Sequence, residues 1–175
     1  MDTILRTKRL TLLRPGPENL EDMLRILSDR RSTPAGSPLA LSWREEAEGL
    51  FQRWDRHWQQ HEAGCYTVRL RGKDRTVGFA GVTRILWDGR PVLQLHCLLE
   101  HRMRGQGYGR EAAAAVVAQA NEYFELPPIL ARVRPQDQAA VRLVLRLGFA
   151  LDPHQGADDA GGYADGYVLN WDRQL

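Results

Sequence analysis

Three glycines in a six-residue run, Arg104-Gly105-Gln106-Gly107-Tyr108-Gly109, join a strand-like segment to a helix-forming one, and no other stretch limits the fold so sharply. Glycine takes positive φ without steric cost and lets a backbone come close to a ligand. The N–H groups that open the following helix lack intrahelical acceptors and carry the positive end of its dipole. Such a turn suits an anion of the pyrophosphate kind, and Arg104 can add a charged contact. It serves equally as a tight strand-to-helix turn whose glycines answer to geometry alone. Two nucleotide-binding readings fail on spacing. No Gly-Lys-Ser/Thr is present, so this is not a P-loop. The glycines run G-x-G-x-G, not G-x-G-x-x-G, and follow a meander instead of the first strand of a βαβ unit.

The rest of the chain sets that turn in an α+β order. Leu10 to Leu13 reads as a strand closed by Pro15-Gly16-Pro17. Leu20, Met23, Leu24 and Leu27 recur with helical spacing over 17–30, and Ser32 to Pro38 is a loop. Ser42 and Glu45 form an S-x-x-E capping box for a second helix. Its apolar stripe runs Ala47, Leu50, Phe51, Trp54 and Trp58, with Trp43 at helical spacing ahead of it and Gly64 as a stop. From Cys65 to Leu99 the pattern alternates, and Asp88-Gly89 between apolar runs is a strong hairpin signal. A helix over Arg110 to Phe124, a strand over Ala131 to Arg134 and a helix over Gln136 to Leu147 follow. Phe149 to Leu151 and Tyr167 to Leu169 read as a last strand pair around a Gly- and Asp-rich loop, 152–166. The expected order is β-α-α-β-β-β-α-β-α-β-β, a single domain over 1–175 with a mixed central sheet.

Composition excludes more than it selects. An apolar fraction of 43% with 26% charged residues is that of a folded globular chain. Twenty-four Lys plus Arg against 22 Asp plus Glu leave +2, which gives no general attraction to nucleic acid or an anionic membrane. Cys65 and Cys97 are the only cysteines, and no cluster shows metal-ligand spacing, so no metal is expected. No stretch approaches the ~20 apolar residues of a membrane span. The charged start, Met1-Asp2-Thr3-Ile4-Leu5-Arg6, lacks a signal-peptide core, so a cytoplasmic location is expected. Exposed strand edges leave monomer and homodimer both open.

Arg104 to Gly109 resembles the R-G-x-G-x-G/A pyrophosphate loop of the GNAT superfamily of acyl-CoA-dependent N-acetyltransferases, and the order of elements is similar. Thr7-Lys8-Arg9-Leu10, Pro135-Gln136-Asp137-Gln138-Ala139-Ala140-Val141-Arg142 and Leu147-Gly148-Phe149 resemble the branch that includes the ribosomal-protein N-terminal acetyltransferases. The resemblance implies acetyl-CoA as cosubstrate and an amine as acceptor. It implies that Arg104, Gly105, Gln106, Gly107, Tyr108, Gly109 and Arg110 cradle the pyrophosphate. The strand Leu95 to Leu99 should splay from its neighbour and offer main chain near Cys97, Leu98 and Leu99 to the pantetheine arm. Asp137 stands where the family usually has a cofactor-facing asparagine, and an ionised carboxylate cannot donate the hydrogen bond.

The family reaction is direct attack of a neutral amine on the thioester, with no covalent enzyme intermediate. It needs a deprotonated amine, oxyanion stabilisation and a proton for the leaving thiolate. Gln94 occupies the position where many members carry a glutamate, and it cannot accept that proton. His96, two residues on, has an ordinary pKa suited to a general base. Ala140 and Val144 match the positions that often carry the acid, so Tyr163 and Tyr167 are the remaining candidates. Each has a plainer reading: His96 as a hydrogen-bonded structural histidine, Tyr167 as a sheet-packing residue, Cys97 as a small filler. The acidic Asp158, Asp159 and Asp165 suit either a cationic acceptor or a solvated loop.

Acceptor basicity narrows the substrate. A lysine amine is neutral in only ~1 molecule in 2,500 at pH 7, an α-amino group in roughly one in five to ten. A site without the glutamate suits a peptide N-terminus or a small-molecule amine of similar acidity. Acetylation of an aminated antibiotic or metabolite, and a non-catalytic acyl-CoA sensor, are the competing readings.

Overall fold

The structure, a computed structural model, describes residues 1–33, 39–87, 89–152 and 164–171. One eight-stranded sheet runs in the spatial order β1-β2-β3-β4-β5-β6-β8-β7. The strands are β1 (Ile4–Arg6), β2 (Leu10–Leu13), β3 (Cys65–Leu70), β4 (Thr76–Trp87), β5 (Arg90–Leu99), β6 (Ile129–Val133), β7 (Ala150–Leu151) and β8 (Asp165–Leu169). The helices are α1 (Leu20–Ser28), α2 (Arg44–His61), α3 (Tyr108–Tyr123) and α4 (Gln138–Arg146). Every pairing is antiparallel except β5 with β6. The mixed α+β sheet matches the expectation, with one strand added. β1 is three residues, Ile4-Leu5-Arg6, too short to show a pattern, and only its pairing with β2 makes it a strand.

The turn at Gly89, φ 72°, sets the register of the long β4–β5 hairpin, from Trp87 opposite Arg90 to Gly78 opposite Leu99. Gly81 sits mid-strand because a Cβ there would lie 2.2 Å from the Gly64 carbonyl oxygen. The pleat then divides the sheet into two faces. α1 and α2 cover one, burying Met23, Ile26, Leu27, Leu50 and Trp54 against Phe79 and Leu98. α3 and α4 cover the other, where Ala112, Ala113, Val116 and Ala120 meet Ala80, Val82, Leu95 and Ile129. Three fully buried alanines let α3 lie close to the strands. Each buried large apolar side chain contributes roughly 1.5–3 kcal/mol.

The other helices lie within two or three residues of their expected ends, but α2 differs from the reading of the sequence in how it starts and stops. Glu46, not Glu45, caps α2: its Oε2 accepts from the Ser42 and Trp43 N–H groups. That places Trp43 ahead of the helix at 67% exposure, off the buried stripe. The helix also ends before Gly64, because Glu62 already takes a left-handed φ of 53°.

Candidate functional site

β5 ends at Leu99, a 3-10 turn spans His101–Met103, and α3 begins at Tyr108. Between them Gly105 and Gly107 hold φ of 76° and 80°. Among the described residues no acceptor is found for the N–H groups of Gly105, Gln106, Gly107, Tyr108, Gly109 and Arg110. Six adjacent donors at a helix N-terminus are an arrangement that suits an anion. Glycine at 109 is held less strictly, since a Cβ there would make ordinary contacts with Leu143 at 3.5 Å and Leu99 at 3.6 Å.

Arg104 turns out to brace this loop. Its Nε donates to the Leu99 carbonyl at 3.3 Å and its Nη2 to the Ser32 carbonyl. The charged contact to an anion that the sequence suggested would fall to the N–H groups of the guanidinium that these two bonds leave over. A second brace comes from the β1–β2 turn. Thr7 Oγ1 donates to Glu111 Oε1 at 2.5 Å, Arg9 Nε to Glu111 Oε2 at 2.6 Å, and Arg9 Nη1 to the Gln106 carbonyl at 2.9 Å. Partial burial pushes the Glu111 carboxyl up, but these hydrogen bonds from Thr7 and Arg9 outweigh it and hold the group below its ordinary value. Thr7, Arg9, Ser32 and Glu111 had no assigned role in the sequence, because separations of 72 to 104 residues hide the partnership.

Next to the loop the sheet opens. β5 pairs with β6 only from Leu93–Ile129 to Leu95–Ala131. The Leu93 N–H reaches across to the Pro128 carbonyl, so alternation aims the main-chain groups of Cys97 and Leu99 at the same gap, beyond the last pair. The Leu99 carbonyl is the one Arg104 holds.

His96 and Tyr167 flank this opening from opposite faces. His96 lies on the α1/α2 face, with Nε2 2.7 Å from Thr83 Oγ1 and Gln94 two residues along the same side. Burial first, then the nearby charge of His57, pushes the His96 pKa down to about 4. His57 spans α2 and β4: its Nδ1 lies 2.7 Å from the Ala63 carbonyl, and its Nε2 accepts from the Arg84 N–H. Tyr167 sits opposite Ala131, level with the last β5–β6 pair, among the core residues of the α3/α4 face. Its hydroxyl has no hydrogen-bond partner among the described residues. Cys97 also faces α3, its Sγ 3.5 Å from the Gly109 carbonyl, and burial pushes the thiol up to about 12. At neutral pH it stays protonated. Thr83 was missed in the sequence, although the Asp88-Gly89 turn already implied its place opposite Gln94.

Residues 9–150 match the model of the acetyltransferase (GNAT) domain family. The chain belongs to the GNAT acetyltransferases. An acetyltransferase of Agrobacterium tumefaciens superposes with a TM-score of 0.81 at 26% identity, over 97% of this chain and 95% of that one. RimL, a ribosomal-protein α-N-acetyltransferase crystallised with coenzyme A, shares the fold at a TM-score of 0.75 and 15% identity, over 95% and 97%. So does a spermidine N-acetyltransferase chimera from Vibrio cholerae and human enzymes, at 0.69 and 16%, over 91% and 92%.

Within this GNAT domain the atypical positions have structural occupations. Asp137 caps α4, its Oδ1 accepting from the Ala140 N–H at 3.0 Å. Val144 is buried in the main core and Ala140 packs at its margin. Of the expected 152–166 loop, the structure describes Asp152 and residues 164–166. Asp152 is buried and accepts from Trp87 Nε1 at 3.3 Å, while Asp165 and Gly166 belong to β8. Asp158, Asp159 and Tyr163 lie outside the described residues. Among those described, no helix is long and apolar enough to cross a membrane.

Proposed function

We propose that this GNAT acetyltransferase transfers an acetyl group from acetyl-CoA to the α-amino group of a peptide, or to a small-molecule amine of similar acidity, by direct attack. The six N–H groups of residues 105–110, which find no acceptor among the described residues, lie beside the gap between β5 and β6 and carry the reading. Those donors suit a diphosphate, and the main chain of Cys97 and Leu99 suits an amide-bearing arm laid along the gap. A main-chain N–H on β5 also suits a developing oxyanion, whatever side chain it bears.

The placement of His96 and Tyr167 divides the proton work. His96 meets an amine arriving on the α1/α2 face, and Tyr167 lies toward the α3/α4 face, on which the loop and α3 would hold the leaving thiolate. With its pKa near 4, His96 is neutral at pH 7 and accepts a hydrogen bond, but it is too weak to deprotonate a free ammonium. It takes the proton only as the new C–N bond makes that nitrogen more acidic. The amine must therefore arrive neutral, which favours α-amines over lysine-like ones.

The test follows thiol release from acetyl-CoA at pH 7 with free N-terminal peptides, polyamines and aminoglycosides. Peptide N-termini are expected to give the highest kcat/KM. A preference for polyamines or ε-amines overturns the acceptor assignment, and aminoglycosides ahead of both place the protein with enzymes that modify antibiotics.

A further inference from the structure

We infer that Arg9, nearly a hundred residues away in the chain, is the residue that sets the pyrophosphate loop in its donor-out conformation. The inference rests on the acyl-CoA reading above and adds a positioning residue to it.

One guanidinium makes three separate contacts with the loop and the first turn of α3, and it lies close against Gly107. Nε bonds Glu111 Oε2, Nη1 bonds the Gln106 carbonyl, the Cζ stacks 4.5 Å above the Tyr108 ring, and Nη2 lies 3.3 Å from where a Cβ of residue 107 would be. The Arg9 main chain joins in, its N–H donating to Glu111 Oε1 at 2.7 Å. The bond to Gln106 is the informative one. In a trans peptide the C=O and the next N–H point in opposite directions. A Gln106 carbonyl drawn back to Arg9 therefore turns the Gly107 N–H away from the protein, toward the face where an anion would sit. The φ of 80° at Gly107 is the backbone consequence of that peptide orientation. Without Arg9 the peptide is free to flip, and a flipped plane presents a carbonyl oxygen to the phosphates.

Only arginine fits the task, because its planar fork reaches a carboxylate and a carbonyl together. Lysine at this position would keep the charge beside Glu111 and lose the second anchor.

Calorimetric titration with CoA and steady-state rates with acetyl-CoA and S-acetylpantetheine test the inference; the last donor has no pyrophosphate. Arg9→Gln is expected to weaken CoA binding ~10- to 100-fold, the range for losing a charged hydrogen bond. The KM for acetyl-CoA should rise in parallel with kcat little changed, and kcat/KM for S-acetylpantetheine should stay at the wild-type value. Arg9→Lys, which keeps the pairing with Glu111 and so the fold, should still bind CoA about 10-fold more weakly. Lys8→Gln, which removes the same charge one residue away, should bind as wild type. Equal losses with both acyl donors would make Arg9 a general structural residue and overturn the inference. So would wild-type CoA affinity in Arg9→Lys, or an equal loss in Lys8→Gln. A wild-type protein that binds no CoA at all would instead overturn the function from which the inference starts.

Discussion

The turn that precedes α3 and the gap between β5 and β6 lie side by side, yet they are built on opposite principles. In the proposed reading the turn works with main-chain nitrogens, while its side chains bond the protein's own carbonyls: Arg104 to Ser32 and Leu99, Gln106 to Arg102. The gap depends on which side chains neighbouring strands happen to present there, His96 from one face and Tyr167 from the other. Main-chain recognition needs only the right φ angles, so glycine spacing encodes it locally. Side-chain chemistry needs residues brought together from three strands and a helix: His96, Thr83, Tyr167 and His57. In the proposed reading the acid and base roles therefore pass to other side chains, since Gln94, Ala140 and Val144 stand at the positions to which the resemblance would assign them.

The largest effect expected of any single change falls on the loop. Gly107→Val puts a β-branched residue at φ 80° and drives a side chain against Arg9 Nη2. That conformation costs about 1–3 kcal/mol, and relieving it turns the N–H donors out of line. CoA affinity measured by titration should fall at least ~100-fold in a protein that still melts cooperatively. Gly109→Ala, whose Cβ meets only ordinary contacts, should stay within a few-fold of wild type. If the two variants behave alike, positive φ is not what the loop requires, and the contrast between the regions fails at its main-chain end.

This division also explains what was legible beforehand. The Gly105-Gln106-Gly107 run, the Asp88-Gly89 hairpin and the α1 stripe are local signals, and the structure follows them. β1 was not legible, because three residues without alternation become a strand only against β2. The same limit applied to Arg104. Its charge suggested an anion, but the carbonyls of Leu99 and of Ser32, 72 residues upstream, compete for it. For His96 the strand position was readable, whereas its depressed pKa depends on burial beneath α2 and on His57. Thr83 lay within reach of reasoning from the turn register, and Arg9 did not.

At the side-chain end the comparison is sharpened by His96. His96→Ala should lower kcat about 100-fold, the smaller end of general-base contributions, with CoA affinity unchanged. A wild-type rate removes His96 from the mechanism and leaves the amine to lose its proton to water. The same residue should mark the stability profile. Its folded pKa of about 4 lies below the ordinary 6.5, so the unfolded chain binds more protons between those values. Its contribution is complete above pH 6.5 and is lost as pH falls toward 4, by at most about 3 kcal/mol. His57, lowered chiefly by its own burial, acts in the same direction. Denaturant unfolding from pH 7 to 4 should show a shallower decline in His96→Gln than in wild type. Parallel profiles would mean that His96 is as easily protonated in the fold as out of it.

The smallest effect is expected at Asp137, where a position associated with cofactor contact has a structural occupation. Its carboxylate accepts from the Ala140 N–H and caps a helix only nine residues long. Aspartate and asparagine are nearly equivalent caps, so Asp137→Asn should leave the melting temperature within about a degree. Asp137→Ala loses the cap and about 1 kcal/mol, a fall of roughly 2–4 °C in a chain of this size. The asparagine variant has the one property the carboxylate lacks, an N–H donor. If Asp137→Asn also leaves CoA affinity unchanged, the capping role accounts for the residue, and the side chain at 137 stands outside the grip on the cofactor. If affinity rises several-fold at constant melting temperature, the position does face CoA, and side chains as well as main chain hold the ligand on this side of the gap.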